Sequence, residues 1–273
     1  MLLNSIFGSI YIVLSLFLLL LNALHAIVLK KIAKIDSSTY QIIVSICLAG
    51  NMQLIPNATG GVMTLADSVL NYYVLGIMIE SGWFLYFALL LTLAVDRLFC
   101  FINPAGRVRM YTVRTLIIAS WLLFFAVLII LCLPDFGYTY VLNGFHLGWG
   151  FYRTRHGALV MAEVEGYLDL AFSGITLVVY LALVLCIVKM RSNLGKVSKS
   201  EIRVLLVAVL TFIYETLFAV LSFQNIKIFN DLQHTRIMMN LLWLIDAGLY
   251  SLLSMITNKS LRKAVFKLSF KPR

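Results

Sequence analysis

Long apolar runs separated by short polar segments make up nearly the whole chain. Seven of these runs are long enough to cross a bilayer, whose hydrocarbon core requires about 20 predominantly apolar residues in an α-helix. We number them spans 1 to 7, at about residues 5–29, 40–65, 73–99, 115–133, 165–188, 204–225 and 236–256. The pattern predicts an all-α membrane protein, with a seven-helix bundle over residues 1–256 and a basic tail over residues 257–273.

The basic residues predict how the bundle is oriented. Of the 22 Lys and Arg residues, 18 follow span 1, follow span 3, lie between spans 5 and 6, or lie in the tail. Cytoplasmic loops of membrane proteins carry an excess of Lys and Arg, so we expect the N terminus outside and the C terminus inside. The net charge of +10 then reflects topology and attraction to anionic membrane lipid, and we do not expect nucleic acid as a partner.

Composition excludes several function classes. Apolar residues make up 62% of the chain and charged residues 12%, with a mean hydropathy of +0.96, whereas soluble domains carry about 25% charged residues. We find no cluster of His, Cys, Asp and Glu with metal-ligand spacing. A glycine-rich phosphate loop and a nucleophile motif are also missing from the sequence. We therefore expect neither an enzyme nor a cofactor.

Three carboxylates lie well inside the spans, where a charged side chain is costly and normally faces the bundle interior, and a fourth lies near the outer end of a span. Glu80 is in span 3, Asp169 near the outer end of span 5, Glu215 in the middle of span 6 and Asp246 in span 7. Residues three or four apart share a helix face. That spacing aligns Asp169, Ser173, Thr176 and Tyr180; Thr211, Glu215, Phe218 and Ser222; and Trp243, Asp246, Tyr250 and Ser254. Three polar faces predict a central cavity.

Depth and aromatic neighbours suggest which residues bind a ligand. Glu80 lies about 10 Å below the outer end of span 3 at 1.5 Å per residue, and aromatic residues follow it. Small-molecule pockets are mostly apolar with a few polar anchors. We assign ligand binding to Glu80, Trp83, Phe84, Asp169, Ser173 and Glu215. The alternative is that these carboxylates are protonated or hydrogen-bonded to a neighbouring helix and only hold the bundle together.

Three short motifs carry a family resemblance. Asp96-Arg97-Leu98 ends span 3, with Pro104 after it, and Asp246-Ala247-Gly248-Leu249-Tyr250 lies late in span 7. The segment from Asn258 to Lys263 opens a stretch in which apolar residues and lysines recur at helical spacing, which predicts a short amphipathic helix on the membrane surface. These elements resemble the Asp-Arg-Tyr signature, the Asn/Asp-Pro-x-x-Tyr element and the eighth helix of rhodopsin-like G-protein-coupled receptors.

Departures from the rhodopsin-like pattern narrow this resemblance. Leu98 replaces the aromatic residue, Met52 stands where the sodium-site aspartate would fall, and the span 7 motif lacks its proline. The usual disulfide is also absent, because no cysteine tops span 3 or lies in the outer loop of about 134–164. The minimal N terminus, the Asp-Arg-x₆-Pro pattern and the Asp-x-Gly stretch of span 7 resemble nematode serpentine chemoreceptors, with class X as the nearest type.

The resemblance implies a chemosensory receptor in the plasma membrane of a sensory neuron. Its partners would be a small external ligand and a heterotrimeric G protein. The resemblance also implies that Asp96, Arg97, Asp246 and Tyr250 switch the receptor between inactive and active states. In the inactive state Asp96 would hold Arg97, and in the active state Arg97 would face the G protein. Arg97 also has a simpler interpretation, as a basic anchor at a cytoplasmic helix end.

Two other functions remain open from the sequence alone. The first is a small transporter that uses Glu80, Glu215 and Asp246 as a path for protons or cations. The second is a structural subunit or trafficking partner that binds no ligand. Agonist-dependent nucleotide exchange distinguishes a receptor from both.

Overall fold

Seven long helices, a β-hairpin and a short final helix make up the fold. The computed structural model describes residues 2–32, 38–69, 72–102, 107–143, 146–193, 199–223 and 232–269; Pro104 lies outside these ranges. The long helices are α1 (Leu2–Ile32), α2 (Ser38–Ala66), α3 (Tyr72–Ile102), α4 (Arg107–Leu131), α5 (His156–Asn193), α6 (Lys199–Phe223) and α7 (Leu232–Thr257). The hairpin is β1 (Tyr138–Asn143) and β2 (His146–Phe151), and α8 (Lys259–Ser269) ends the described chain. Each long helix contains a stretch long and apolar enough to cross a membrane, which confirms the predicted fold class.

Two helices begin well before the apolar runs that predicted them. α4 starts at Arg107 instead of near residue 115, and α5 starts at His156 instead of near residue 165. The added turns carry charged residues such as Glu163. Hydropathy detects only the part of a helix that matches the hydrocarbon core, whereas backbone hydrogen bonding continues the helix beyond it.

α3 lies at the centre of the bundle. It packs against α2, α4, α5 and α6, while α7 packs against α1, α2 and α6 and so closes the ring of helices. α2 and α7 approach each other closely at Gly50, where a Cβ atom would lie 2.2 Å from the Ala247 carbonyl oxygen. α8 packs against α1 and α7 through the buried Leu261.

The β-hairpin covers one end of the bundle. Its strands pair antiparallel, with Tyr138 opposite Phe151 and Tyr140 opposite Trp149, and Tyr138, Tyr140 and Trp149 are buried. Two short strands leave no long apolar run, so the sequence pattern predicted only an outer loop over about 134–164. We call this end of the bundle the hairpin end and the opposite end, where α8 lies, the α8 end.

Contacts with several helices hold the hairpin in place. The hydroxyls of Tyr140 and Thr64 share a hydrogen bond of 2.5 Å, and the Tyr11 hydroxyl donates to the Leu147 carbonyl at 3.2 Å. α3 meets β1 at Gly76, where a Cβ atom would lie 1.9 Å from the Tyr138 carbonyl oxygen. The hairpin is therefore packed against the helices and covers this end of the bundle.

Candidate functional site

A cavity of about 210 Å³ lies under the hairpin, between α3, α5, α6 and α7. Five aromatic side chains line it, namely Trp83, Tyr138, Trp149, Phe218 and Trp243. The ring centroids of Trp83 lie 5.6 Å from Phe218 and 5.8 Å from Trp243, both in edge-on geometry. Such packing fixes the walls of the cavity, because edge-to-face aromatic pairs are favourable.

Acidic and basic groups line the cavity on different helices. Glu165 and Asp169 come from α5, one turn apart, and Arg236 and Asn240 come from α7, also one turn apart. The Trp83 indole Nε1 donates to Asp169 Oδ2 at 3.3 Å. The cavity therefore combines apolar walls with a few polar anchors, as small-molecule sites do.

Glu80 lies beside the cavity. It is fully buried, neither carboxyl oxygen has a hydrogen-bond partner among the described residues, and its carboxyl group interacts electrostatically with those of Asp169 and Glu165. Burial, with the neighbouring carboxyl groups of Glu80, Glu165 and Asp169, raises the pKa of Tyr138 well above its usual value. The hydroxyl of Tyr138, on the hairpin, thus stays protonated and neutral.

The six residues assigned to ligand binding occupy different positions. Trp83 and Asp169 line the cavity, and Glu80 adjoins it through Asp169. Phe84 is buried in the aromatic cluster that surrounds the cavity, while Ser173 and Glu215 are buried in the bundle and do not line the cavity. Their ligand-binding roles stay predictions.

Sequence reasoning missed several lining residues. Glu165 precedes Asp169 by four residues, so the spacing that aligned the other polar residues of α5 would also have found it. Tyr138 and Trp149 carried no such signal, because their place in the cavity depends on the hairpin. Arg236 is one of the four Lys and Arg residues outside the cytoplasmic set of 18, and it was assigned no role in ligand binding.

The predicted polar faces of α5, α6 and α7 do point inward. Their members are buried, apart from the exposed Ser222 at the end of α6. Asp246 is fully buried, and neither carboxyl oxygen has a hydrogen-bond partner among the described residues. Glu215 interacts electrostatically with both Asp246 and Asp169. The buried carboxyl groups thus extend from the cavity into the middle of the bundle.

A second polar cluster lies at the α8 end, around Asp96. Asp96 is fully buried and accepts hydrogen bonds from Arg97 at 2.5 Å, from Arg109 Nε at 2.9 Å and from Thr39 at 2.7 Å. Arg97, 4% exposed, also donates to the Thr39 hydroxyl. A carboxylate with two guanidinium partners and a hydroxyl donor is well compensated for its loss of solvent.

Asp96 pairs with Arg97 and also with a second arginine, which the sequence analysis did not assign to this cluster; the switch role of these residues stays a prediction. Arg109 lies at the start of α4 and joins α3, α2 and α4 through Asp96 and Thr39. Tyr250 of α7 interacts electrostatically with Arg97 and stacks against His25, with ring centroids 6.2 Å apart. The four residues assigned to the switch therefore lie at two places, with Arg97, Asp96 and Tyr250 near the α8 end and Asp246 deeper in the bundle.

The seven membrane-length helices define a seven-transmembrane helical protein. The family model for the serpentine type 7TM GPCR chemoreceptor Srt matches residues 2–273. The chain therefore belongs to the Srt family of serpentine chemoreceptors. The predicted serpentine resemblance is confirmed, with Srt in place of class X. No curated protein matches the chain significantly.

Proposed function

We propose that this protein binds a small external ligand in the cavity at the hairpin end and activates a heterotrimeric G protein at the α8 end. The observation that carries the proposal is that α3 connects the two clusters. Trp83 lines the cavity, and Asp96 and Arg97 form the second cluster on the same helix. They are about 20 Å apart at 1.5 Å per residue.

A rigid central helix gives a physical route for coupling. A ligand shifts a two-state bundle only as far as it binds one state better than the other. Contacts of a ligand with Trp83 and Asp169 would favour one position of α3 relative to α5. The same movement of α3 would alter the bonds that Asp96 makes with Thr39 on α2 and Arg109 on α4.

The proposal includes an orientation and a location. The hairpin end faces outside and the α8 end faces the cytoplasm, because the basic residues concentrate at the α8 end. The membrane is the plasma membrane of a sensory neuron, as expected for a chemoreceptor that samples external molecules. We propose no catalytic role, and the family does not favour the transporter alternative.

The test is a ligand screen on cells that express the full chain with co-expressed G proteins. Nucleotide exchange on the G protein should rise in response to at least one small external molecule. The response should be absent in cells without the chain. Substrate flux driven by a proton gradient, with no exchange, would instead support the transporter.

A further inference from the structure

We infer that the cavity at the hairpin end is built for a small zwitterion, with an ammonium group at one end and a carboxylate at the other. The inference rests on the proposed function and specifies the chemical class of the ligand. It depends on an acidic pole, a hydrogen-bond-donating pole and aromatic walls between them.

The acidic pole is formed by Asp169 and Glu165, with Glu80 beside them. Ionised carboxylates only accept hydrogen bonds, and the single donor recorded for this group is the Trp83 indole, which donates to Asp169 at 3.3 Å. The ion pairs of Asp96 with Arg97 and Arg109 lie at the α8 end, and among the described residues none is formed by Glu80, Glu165 or Asp169. Buried acidic groups without a positive partner are unfavourable. An ammonium group, with its three donors, supplies that partner.

The donating pole is formed by Arg236 and Asn240, on adjacent turns of α7. Asn240 is 6% exposed, and its amide nitrogen has no hydrogen-bond acceptor within bonding distance among the described residues. Tyr11, whose hydroxyl donates to the Leu147 carbonyl, interacts with Asn240, but its oxygen, which could accept, is not within bonding distance of the Asn240 amide nitrogen. Arg236 forms no ion pair among the described residues. The guanidinium fork of arginine and an unsatisfied amide donor suit a carboxylate.

The two poles do not satisfy each other across the cavity. Arg236 forms no ion pair with Glu165 or Asp169 and is repelled by Arg153, while Glu165 interacts with Glu80 and Asp169. If Arg236 and Glu165 were paired, the cavity would need no charged ligand. Arg236 and the carboxyl groups of Glu165 and Asp169 therefore line the same space without forming an ion pair among the described residues.

The walls and the volume limit the body of the ligand. Trp83, Phe218 and Trp243 enclose an apolar region, and their faces also favour a nearby ammonium group through cation–π attraction. A cavity of about 210 Å³ is smaller than typical pockets for drug-sized molecules, which measure roughly 300–1,000 Å³. The site therefore suits a molecule of amino-acid size.

Ligands with fewer charges would leave one pole unmatched. An amine without a carboxylate would leave Arg236 and Asn240 unpaired, and a carboxylate without an amine would meet the acidic pole. Leaving a buried polar partner unpaired discriminates strongly between similar ligands. The charge pattern of the ligand is thus the property that the cavity selects.

The experiment compares matched probes on the purified full chain. Leucine and phenylalanine are each tested beside the amine that lacks the carboxylate and the acid that lacks the amine. Thermal stabilisation of the protein gives the dissociation constant of each probe. At least one amino acid should bind about tenfold or more tightly than both of its partial analogues. Equal or tighter binding of an amine or an acid, or no amino-acid binding at about 1 mM, would overturn the inference.

The binding preferences of two variants test which residues recognise each charged group of the ligand. Asp169→Asn should reduce the preference for the amino acid over its acid, and Arg236→Gln should reduce the preference over its amine. Arg236→Lys, which keeps the charge, should restore part of the second preference. Glu163→Gln removes an exposed carboxylate from the same helix and should leave both ratios unchanged. Unchanged ratios in Asp169→Asn and Arg236→Gln would contradict the assignment.

This design separates the inference from the proposed function. Nucleotide exchange triggered by a ligand of another charge class would overturn the zwitterion site and leave the receptor function intact. Amino-acid binding without nucleotide exchange would uphold the site and contradict G-protein activation.

Discussion

Buried carboxylates at the two ends of α3 have opposite surroundings. Asp96 has two arginines and a threonine as hydrogen-bond partners, whereas Glu80 has none among the described residues. A compensated carboxylate stabilises one arrangement of the helices that supply its partners. An uncompensated one favours any state or ligand that brings a proton or a cation. Asp96 is therefore suited to hold the helices in one arrangement, and the acidic pole of the cavity is suited to bind a cationic group of a ligand.

Asp96→Asn tests the restraint. Asparagine keeps the size of the side chain but leaves Arg97 and Arg109 without a negative partner, and breaking a buried ion pair typically costs about 3–5 kcal/mol. The arrangement that holds Arg97 inside should lose stability, so ligand-independent nucleotide exchange should rise several-fold at equal surface expression. Glu163→Gln, a charge removal on the exposed side of α5, serves as the control. Basal exchange equal to that of the wild type would show that Asp96 does not restrain the protein.

Sequence periodicity found some of these residues and missed others for a physical reason. Asp169 and Asp246 could be placed inside the bundle, because a charge in a span must avoid lipid. The contact between Asp96 of α3 and Arg109 of α4 joins two helices, and no local sequence pattern describes it. Its prediction requires the packing of α4 against α3, which only the three-dimensional structure supplies.

The element that most directly shapes the cavity is the hairpin. Its inward side carries Tyr138 and Trp149 into the cavity wall, and α3 approaches it at Gly76 more closely than a side chain would allow. The hairpin and α3 therefore approach each other through their backbones at this position. A substitution at Gly76 should therefore displace the hairpin more than it disturbs the packing of the helices.

Gly76→Ala should displace the hairpin. The new methyl group would lie 1.9 Å from the Tyr138 carbonyl oxygen, and overpacking of this kind typically costs about 1–3 kcal/mol. We expect a lower melting temperature and weaker ligand binding. Gly174→Ala is the matched control, since a Cβ atom there meets nothing within 4 Å, and alanine should leave stability equal or slightly higher in a helix. Equal melting temperatures for the two variants would contradict the close packing of the hairpin on α3.

The sequence predicts those helices whose length and apolar composition are set by the bilayer. All seven long helices follow from apolar runs of sufficient length, and α8 follows from its amphipathic spacing. The hairpin does not, because its six-residue strands gain their stability from contacts with α2, α3 and α7. Similarly, the first turns of α4 and α5 extend beyond the apolar segments and leave no hydropathy signal.

At the scale of the whole molecule, the proposed receptor function depends on which end of the bundle faces the cytoplasm. Of the 22 Lys and Arg residues, 18 lie in the connections and the tail assigned to the cytoplasmic side. The hairpin, and with it the cavity, lies at the opposite end. The proposed ligand and G protein can reach their sites only if this orientation holds.

Epitope tags test the orientation. A tag at Gly144 should be accessible to antibody in intact cells, and a tag at Gly195 should be accessible only after permeabilisation, because of the positive-inside rule. Both positions lie outside the described residues, in the segments that join β1 to β2 and α5 to α6. Labelling of the Gly195 tag in intact cells would place the Asp96 cluster outside and exclude G-protein coupling at that end.

The central claim is that ligand binding at the hairpin end is coupled to G-protein activation through the Asp96 cluster. The most direct measurement is nucleotide exchange by Arg97→Ala, beside ligand binding, at matched surface expression. Arg97→Ala should retain binding, since Arg97 lies about 20 Å from Trp83, and should lose ligand-stimulated exchange. Arg114→Ala, which removes an exposed arginine from α4, should leave both unchanged. Full ligand-stimulated exchange in Arg97→Ala would contradict the account.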